Sequence, residues 1–162
     1  MDDFFLIKLN GKLCNEQNPV FAKISLRWFD DVTKHKWYLG ANGYPFAYIK
    51  NSYGVSRLPL HRYVHWLQVK HWTDLYVDHI NRDKLDATDI NLRLATPAEN
   101  SYNKTHINPN HNIKLNKSTS KYEVKISKNG QIHKISDIST IDEAKEIYKL
   151  MAEELFGKFA PI

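Results

Sequence analysis

The chain has 162 residues, room for one or two small domains, and at 42% hydrophobic and 12% aromatic it has the composition of a globular protein. Its net charge of +5 suits a polyanionic partner. A lone cysteine, Cys14, excludes a disulfide framework within the chain and a four-cysteine zinc site, and no apolar run approaches the roughly 20 residues of a membrane span. The start, Met1 to Lys12, is acidic first and lacks a signal-peptide pattern, so a cytoplasmic protein is expected.

Residues 1–58 read as a small β-rich module. Phe5, Ile7 and Leu9 alternate before an Asn10-Gly11 turn signal, and Ala22, Ile24, Leu26 and Trp28 alternate again. Trp37 to Leu39 and Phe46 to Ile49 flank Asn42-Gly43, a hairpin candidate, with Pro45 at the start or edge of its strand. Lys34, Lys36, Lys50 and Arg57 are either DNA contacts or the solvated cations of an ordinary packed sheet. Pro59 to His71 predicts a helix, with Leu60, Val64 and Leu67 at helical spacing and Tyr63 and Trp66 widening the apolar face. On it, Arg62 can grip a phosphate through two guanidinium bonds or form a structural ion pair. His65 and His71 read as packing or surface residues.

Tyr76 to Ile80 predicts a short strand, and polar, acidic Asn81 to Asp89 a loop. Asn91 to Leu94 predicts a second strand. Thr96, Pro97 and Glu99 then give N-cap, first-turn proline and capping box of a helix. In this strand-loop-strand-helix frame stand Asp78-His79, Asn91 thirteen positions on from Asp78, and Asn100 nine beyond that. With Leu60-His61-Arg62, Leu92-Arg93, Thr96, Glu99 and Asn103, the pattern resembles the ββα-metal core of the HNH (His-Me finger) endonucleases, in the homing branch of phages and mobile elements. The resemblance covers Leu60 to Lys104, and the last letter of the pattern is Asn100 rather than His. The paired CxxC motifs of the zinc-stabilised members are absent.

The resemblance implies a division of labour that chemistry supports. His79 is the general base, because an imidazole near its ordinary pKa takes a proton at neutral pH. Asn91 orients His79 through its side-chain or backbone carbonyl. Asp78 and Asn100 are oxygen ligands for Mg2+ or Mn2+, a hard cation that takes its remaining ligands from water and phosphate. Arg93 and Lys104 are further phosphate contacts. Neighbouring strand residues point to opposite faces, so a bulge or twist is expected at Asp78-His79.

Residues 106–119 carry one proline and four asparagines and read as a linker or irregular arm, where His106 and His111 are spare histidines near the helix end. Residues 120–162 read as a further unit. Asn129-Gly130 sets a hairpin register in which Val124 faces Ile135, Ile126 faces His133, and Lys125 faces Lys134, with Lys121 on the lysine side. Opposed lysines repel, and their placement makes sense if a polyanion lies across that face. Thr140 and Glu143 start a helix whose stripe Ala144, Ile147, Tyr148, Met151 and Leu155 would cover the sheet, and Gly157 ends it. This unit, with Leu155-Phe156-Gly157 and Phe159-Ala160, resembles the AP2 DNA-binding domain, which lays its sheet in the major groove. The glycine usual after the hairpin is replaced by Ile135-Ser136-Asp137-Ile138. Residues 106–134 hold six lysines and one acid, whereas 135–162 hold three lysines and six acids, so the basic charge lies on the hairpin side.

The expectation is therefore an α+β protein with a β-rich module (1–58), an HNH ββα-metal core (59–105), a linker (106–119) and an AP2-like β-sheet plus helix (120–162). It would be a metal-dependent DNA endonuclease acting on double-stranded DNA as a monomer or homodimer, with Arg62, Arg93, Lys104, Lys121, Lys125 and Lys134 as DNA contacts. The alternative is a non-catalytic DNA-binding regulator with a degenerate nuclease core. An RNA-binding protein shares the charge profile but would carry an RNP-type aromatic strand, which is missing.

Overall fold

A computed structural model describes residues 3–51, 54–103 and 110–161. Contacts divide the chain into two units, Met1–Thr96 and Pro97–Ile162. Among the described residues, no helix is long and apolar enough to cross a membrane.

In the first unit, β1 (Phe4–Lys8) and β2 (Phe21–Ser25) pair antiparallel, with Ile7 opposite Ala22. The alternation of Ala22 and Ile24 does not continue to Leu26 and Trp28 as expected. Leu26–Trp28 form a 3-10 turn that runs into α1 (Phe29–Thr33). Long-range hydrogen bonds override the strand pattern there. The Trp28 indole donates to Asp89 Oδ1 at 2.8 Å, and the Asp89 amide donates to the Ser25 hydroxyl at 2.9 Å.

β3 (Tyr38–Leu39), β4 (Pro45–Asn51) and β5 (Gly54–Pro59) form a second antiparallel sheet with β4 central. The Asn42-Gly43 connection is the expected hairpin, with Gly43 at φ +80° and Pro45 first in its strand. β5 was not foreseen, because Val55 and Arg57 face solvent and supply no apolar alternation. Pro59 caps α2 (Leu60–Val69), whose Leu60, Val64 and Leu67 are buried in one core with Ile7, Leu9, Ile24, Val32 and Trp37. The expected β-rich module and the start of the expected nuclease core thus share an interior.

β6 (Tyr76–His79) follows, and the loop after it contains a two-residue strand, β7 (Asp86–Ala87), parallel to β2. A strand of this length carries no periodic signal. It clamps the loop to the first sheet, with Ile24 opposite buried Ala87. β8 (Leu92–Ala95) then pairs antiparallel with β6.

In the second unit, α3 (Pro97–Tyr102) starts at the expected proline, and Tyr102 stacks on Phe156 at 4.3 Å between ring centroids. Residues 106–109 of the segment expected as a linker lie outside the described residues, and the rest of it, expected as an irregular arm, contains β9 (Ile113–Asn116), an edge strand on β10 (Lys121–Lys128). β9 is held by backbone pairing, and among its side chains Ile113 packs on the core, so hydrophobic patterning did not reveal it. β11 (Gln131–Ile138) completes the sheet in the expected register, Val124 opposite Ile135 and Lys125 opposite Lys134. α4 (Ile141–Phe156) covers one face, packing Ala144, Ile147, Tyr148 and Met151 on Val124 and Ile138. Thr140 accepts the Glu143 amide at 3.1 Å, and Glu143 reaches back to the Ser139 amide at 3.2 Å.

Candidate active site

β6 and β8 pair residue for residue: Tyr76 with Ala95, Val77 with Leu94, Asp78 with Arg93, His79 with Leu92. The irregularity expected at Asp78-His79 is absent, because Asp78 and His79 use the two faces of a regular strand for different partners. Asp78 Oδ2 accepts from Arg93 Nε at 2.9 Å and pairs with Nη2 at 2.8 Å, both side chains about a tenth exposed. His79, 4% exposed, packs its ring against His61 (4.9 Å between centroids) and Tyr44 (5.8 Å). Tyr44 and His61 are themselves 5.1 Å apart, closing a triangle of rings.

Burial holds His79 below the ordinary histidine pKa, against the pull of the Asp78, Asp83 and Asp86 carboxylates. The same burial, with the charges of His79 and Arg62, pushes His61 down to about 3. Both imidazoles are therefore neutral at physiological pH. His61 Nδ1 is buried and makes no hydrogen bond among the described residues. Burial and the Asp78 charge push the Tyr44 phenol up. Lys84 lies over the Tyr44 ring at 4.7 Å and donates to the Asn42 carbonyl at 3.0 Å, placing a cation beside the cluster.

Asn91, 6% exposed, ends a 3-10 turn just before β8. Its Oδ1 accepts the Asn81 amide at 2.9 Å, its Nδ2 donates to the Asp86 carbonyl at 2.7 Å, and its carbonyl accepts the Ile80 amide at 2.8 Å. These bonds span the Asn81–Asp89 loop and grip the chain immediately after His79. Asp86 braces the loop further by accepting from the Thr88 hydroxyl at 2.7 Å and Asn81 Nδ2 at 3.1 Å. Asp89 anchors its end. Burial pushes that carboxyl up, yet bonds from Trp28, Gln68 and Arg27 leave it below its usual range.

The first unit thus brings Asp78, His79, Asn91 and Arg93 together. Asn100 lies on α3, in the second unit, and Lys104 lies outside the described residues, as does His106. Arg62 donates to the Thr73 carbonyl at 2.9 Å, a structural bond that neither expected role for it anticipated. His111 is exposed beside Tyr148. Tyr44 had no sequence signal. His61 stood in the Leu60-His61-Arg62 triplet, but nothing there showed that its ring meets His79.

A carboxylate with an amide oxygen is the donor set of a hard cation that keeps most of its water. Among the described residues, no three His, Cys, Asp or Glu side chains gather where they would hold a metal ion.

On the sheet of the second unit, the lysine face is more structured than charge counting suggested. Lys134 pairs with Glu123 at 2.7 Å, and Lys121 donates to Ser139 Oγ at 2.9 Å. The Lys134 bond, with Lys114 and Lys125 nearby, holds the Glu123 carboxyl below its usual range. Glu123 relieves the repulsion expected between Lys125 and Lys134.

A buried histidine and an arginine-paired carboxylate thus stand side by side at the end of one strand, next to a loop tied down by asparagine and aspartate. The chain is 42% identical over 163 residues to an uncharacterized HNH endonuclease, L560, of Acanthamoeba polyphaga mimivirus, covering 98% of this chain and 84% of that protein. The chain belongs to the HNH endonuclease family. No family model and no solved structure matches it.

Proposed function

We propose that the protein is a metal-dependent endonuclease that hydrolyses phosphodiester bonds of double-stranded DNA. The observation that carries this is His79, held neutral by burial beside Asp78 and fixed through its backbone by the Asn91-bonded loop. A neutral imidazole can take the proton of an attacking water. Attack at phosphorus breaks the P–O3′ bond and leaves 5′-phosphate and 3′-hydroxyl ends. Asp78 and Asn100 would hold Mg2+ or Mn2+, which supplies charge relief to the phosphate and the leaving oxygen. Arg93, which pairs with Asp78 in the structure, would serve as a phosphate contact.

The sheet β9–β11 backed by α4 supports an AP2-like role in which Lys121, Lys125 and Lys134 meet the DNA backbone. Resemblance supports a homing-type enzyme of a phage or mobile element. One site per chain fits nicking by a monomer or double-strand cleavage by a homodimer. A second reading, DNA binding without cleavage, draws on one observation, the Arg93 guanidinium closed on Asp78.

Supercoiled plasmid separates the two. With Mg2+ or Mn2+ the protein should yield open-circular or linear DNA, and His79→Ala should lose at least about 100-fold in rate while still shifting DNA on a gel. Unimpaired cutting by His79→Ala would refute the assignment. Gel shifts without cleavage, across a library of sites, would favour the second reading.

A further inference from the structure

Val32 to Thr73 contain no Asp or Glu, yet hold six lysines and arginines. Much of this stretch is the β3-β4-β5 sheet. One face of that sheet, with Ala47, Ile49 and Leu58, packs on the core. The other carries aromatic rings and cations. Tyr38 lies opposite Phe46, and Tyr48 opposite Arg57. The Tyr38 and Phe46 rings are 5.8 Å apart and 29° from parallel, and the Tyr48 ring meets Phe46 edge to face, 5.5 Å away at 89°. The Arg57 guanidinium lies 3.9 Å above Phe46, Lys36 lies 5.8 Å from the Tyr38 ring, and Lys50 follows Tyr48 on the same side. Tyr48 is 61% exposed.

Cations alone would suit the outside of a duplex, where base faces are covered by their neighbours and exposed rings gain nothing. Exposed rings along a sheet, edged by cations, instead match unpaired bases, whose faces stack on aromatics while lysine and arginine meet the phosphates. A protein partner would have to supply acids alone, and an apolar one would leave the cations desolvated. We propose that this face binds single-stranded DNA, with bases stacked on Tyr48 and its neighbouring rings and phosphates held by Lys36, Lys50 and Arg57. Such binding needs neither His79 nor a metal ion, so it stands or falls separately from cleavage.

The test uses the full chain in EDTA and fluorescence anisotropy of labelled oligo(dT) of about 20 nucleotides, beside a duplex of equal length and an abasic strand of equal charge. Oligo(dT) should bind, and the abasic strand about five- to 100-fold more weakly. Tyr48→Ala should weaken oligo(dT) binding by a similar factor and duplex binding by less than about twofold, while Tyr48→Phe keeps the native affinity. Equal affinity for abasic and normal strands would overturn the proposal. So would an unchanged Tyr48→Ala, an equal loss on duplex, or a preference for oligo(U), which would make the occupant RNA. Should Tyr48→Ala fail to fold by circular dichroism, the abasic comparison on the native chain decides alone.

Discussion

His61 shows how a residue can serve the site without a bond to it. Burial beside His79 and Arg62 lowers its pKa to about 3, far below the ordinary 6.5. The folded chain therefore refuses a proton that the unfolded chain accepts. Above pH 6.5 neither state binds it and His61 contributes no slope. As pH falls below 6.5 the unfolded state is favoured, until the folded state also protonates near 3. Between pH 7.5 and 5, His61 alone should remove about 2 kcal/mol of stability, and the lowered His79 adds to the same slope. Urea unfolding at the two pH values should show this loss, and His61→Gln should flatten most of it whatever that substitution does to absolute stability. An unchanged slope in the variant would mean that the imidazole is solvated. None of this was legible in sequence, where His61 is one letter of a triplet. Asp78, His79 and Asn91 stood out because their spacing resembles that of a known chemistry. What the sequence lacked was the partner of each: the regular strand that sends Asp78 to Arg93 and His79 to His61, and the loop backbone that takes up the Asn91 amide.

At the scale of elements, the β10–β11 hairpin was read correctly because Asn129-Gly130 permits one turn. Both residues adopt positive φ, 52° and 80°, and fix every pair up to Val124 opposite Ile135. Beyond that pair the register shifts, so that Tyr122 meets Ile138. The shift places an extra residue in β11, and Asp137 there has φ 64°. This is the stretch where the AP2 pattern expects glycine. Aspartate tolerates the left-handed region better than most side chains, so the bulge survives without glycine. Asp137→Val should destabilise the protein by about 1–2 kcal/mol, because a β-branched residue is strained at that φ. Asp137→Gly should stay within about 0.5 kcal/mol, since relief of strain offsets the greater freedom of the unfolded chain. Denaturant midpoints at equal m-value check both, and a neutral valine would show that the bulge relaxes. The strands that escaped the sequence share one physical trait. β5, β7 and β9 are short or one-sided, and backbone pairing rather than apolar periodicity holds them.

Across the whole molecule, charge is sorted along the chain. Two basic tracts, 32–73 and 106–134, flank the stretch from Asp74 to Asp89, which holds five aspartates against Arg82 and Lys84. The basic tracts suit DNA, but the stretch that carries Asp78 and His79 opposes a phosphate on its own. Asp83, Asp86 and Asp89 accept hydrogen bonds within and around the loop, Asp74 is exposed, and Asp78, paired with Arg93 next to His79, is the carboxylate that the proposed metal ion would engage. The site should therefore need a divalent ion to accept the backbone as well as to cut it. Free Mg2+ competes with proteins for phosphates, so by default it weakens DNA binding. In the cleavage-deficient His79→Ala background at constant ionic strength, millimolar Mg2+ should instead tighten binding by several-fold, and adding Asp78→Asn should restore the default weakening. Tightening that survives Asp78→Asn would place the ion elsewhere. Weakening in both variants would leave the basic tracts as the source of affinity and Asp78 as the structural partner of Arg93, the arrangement expected of a nuclease core kept for binding.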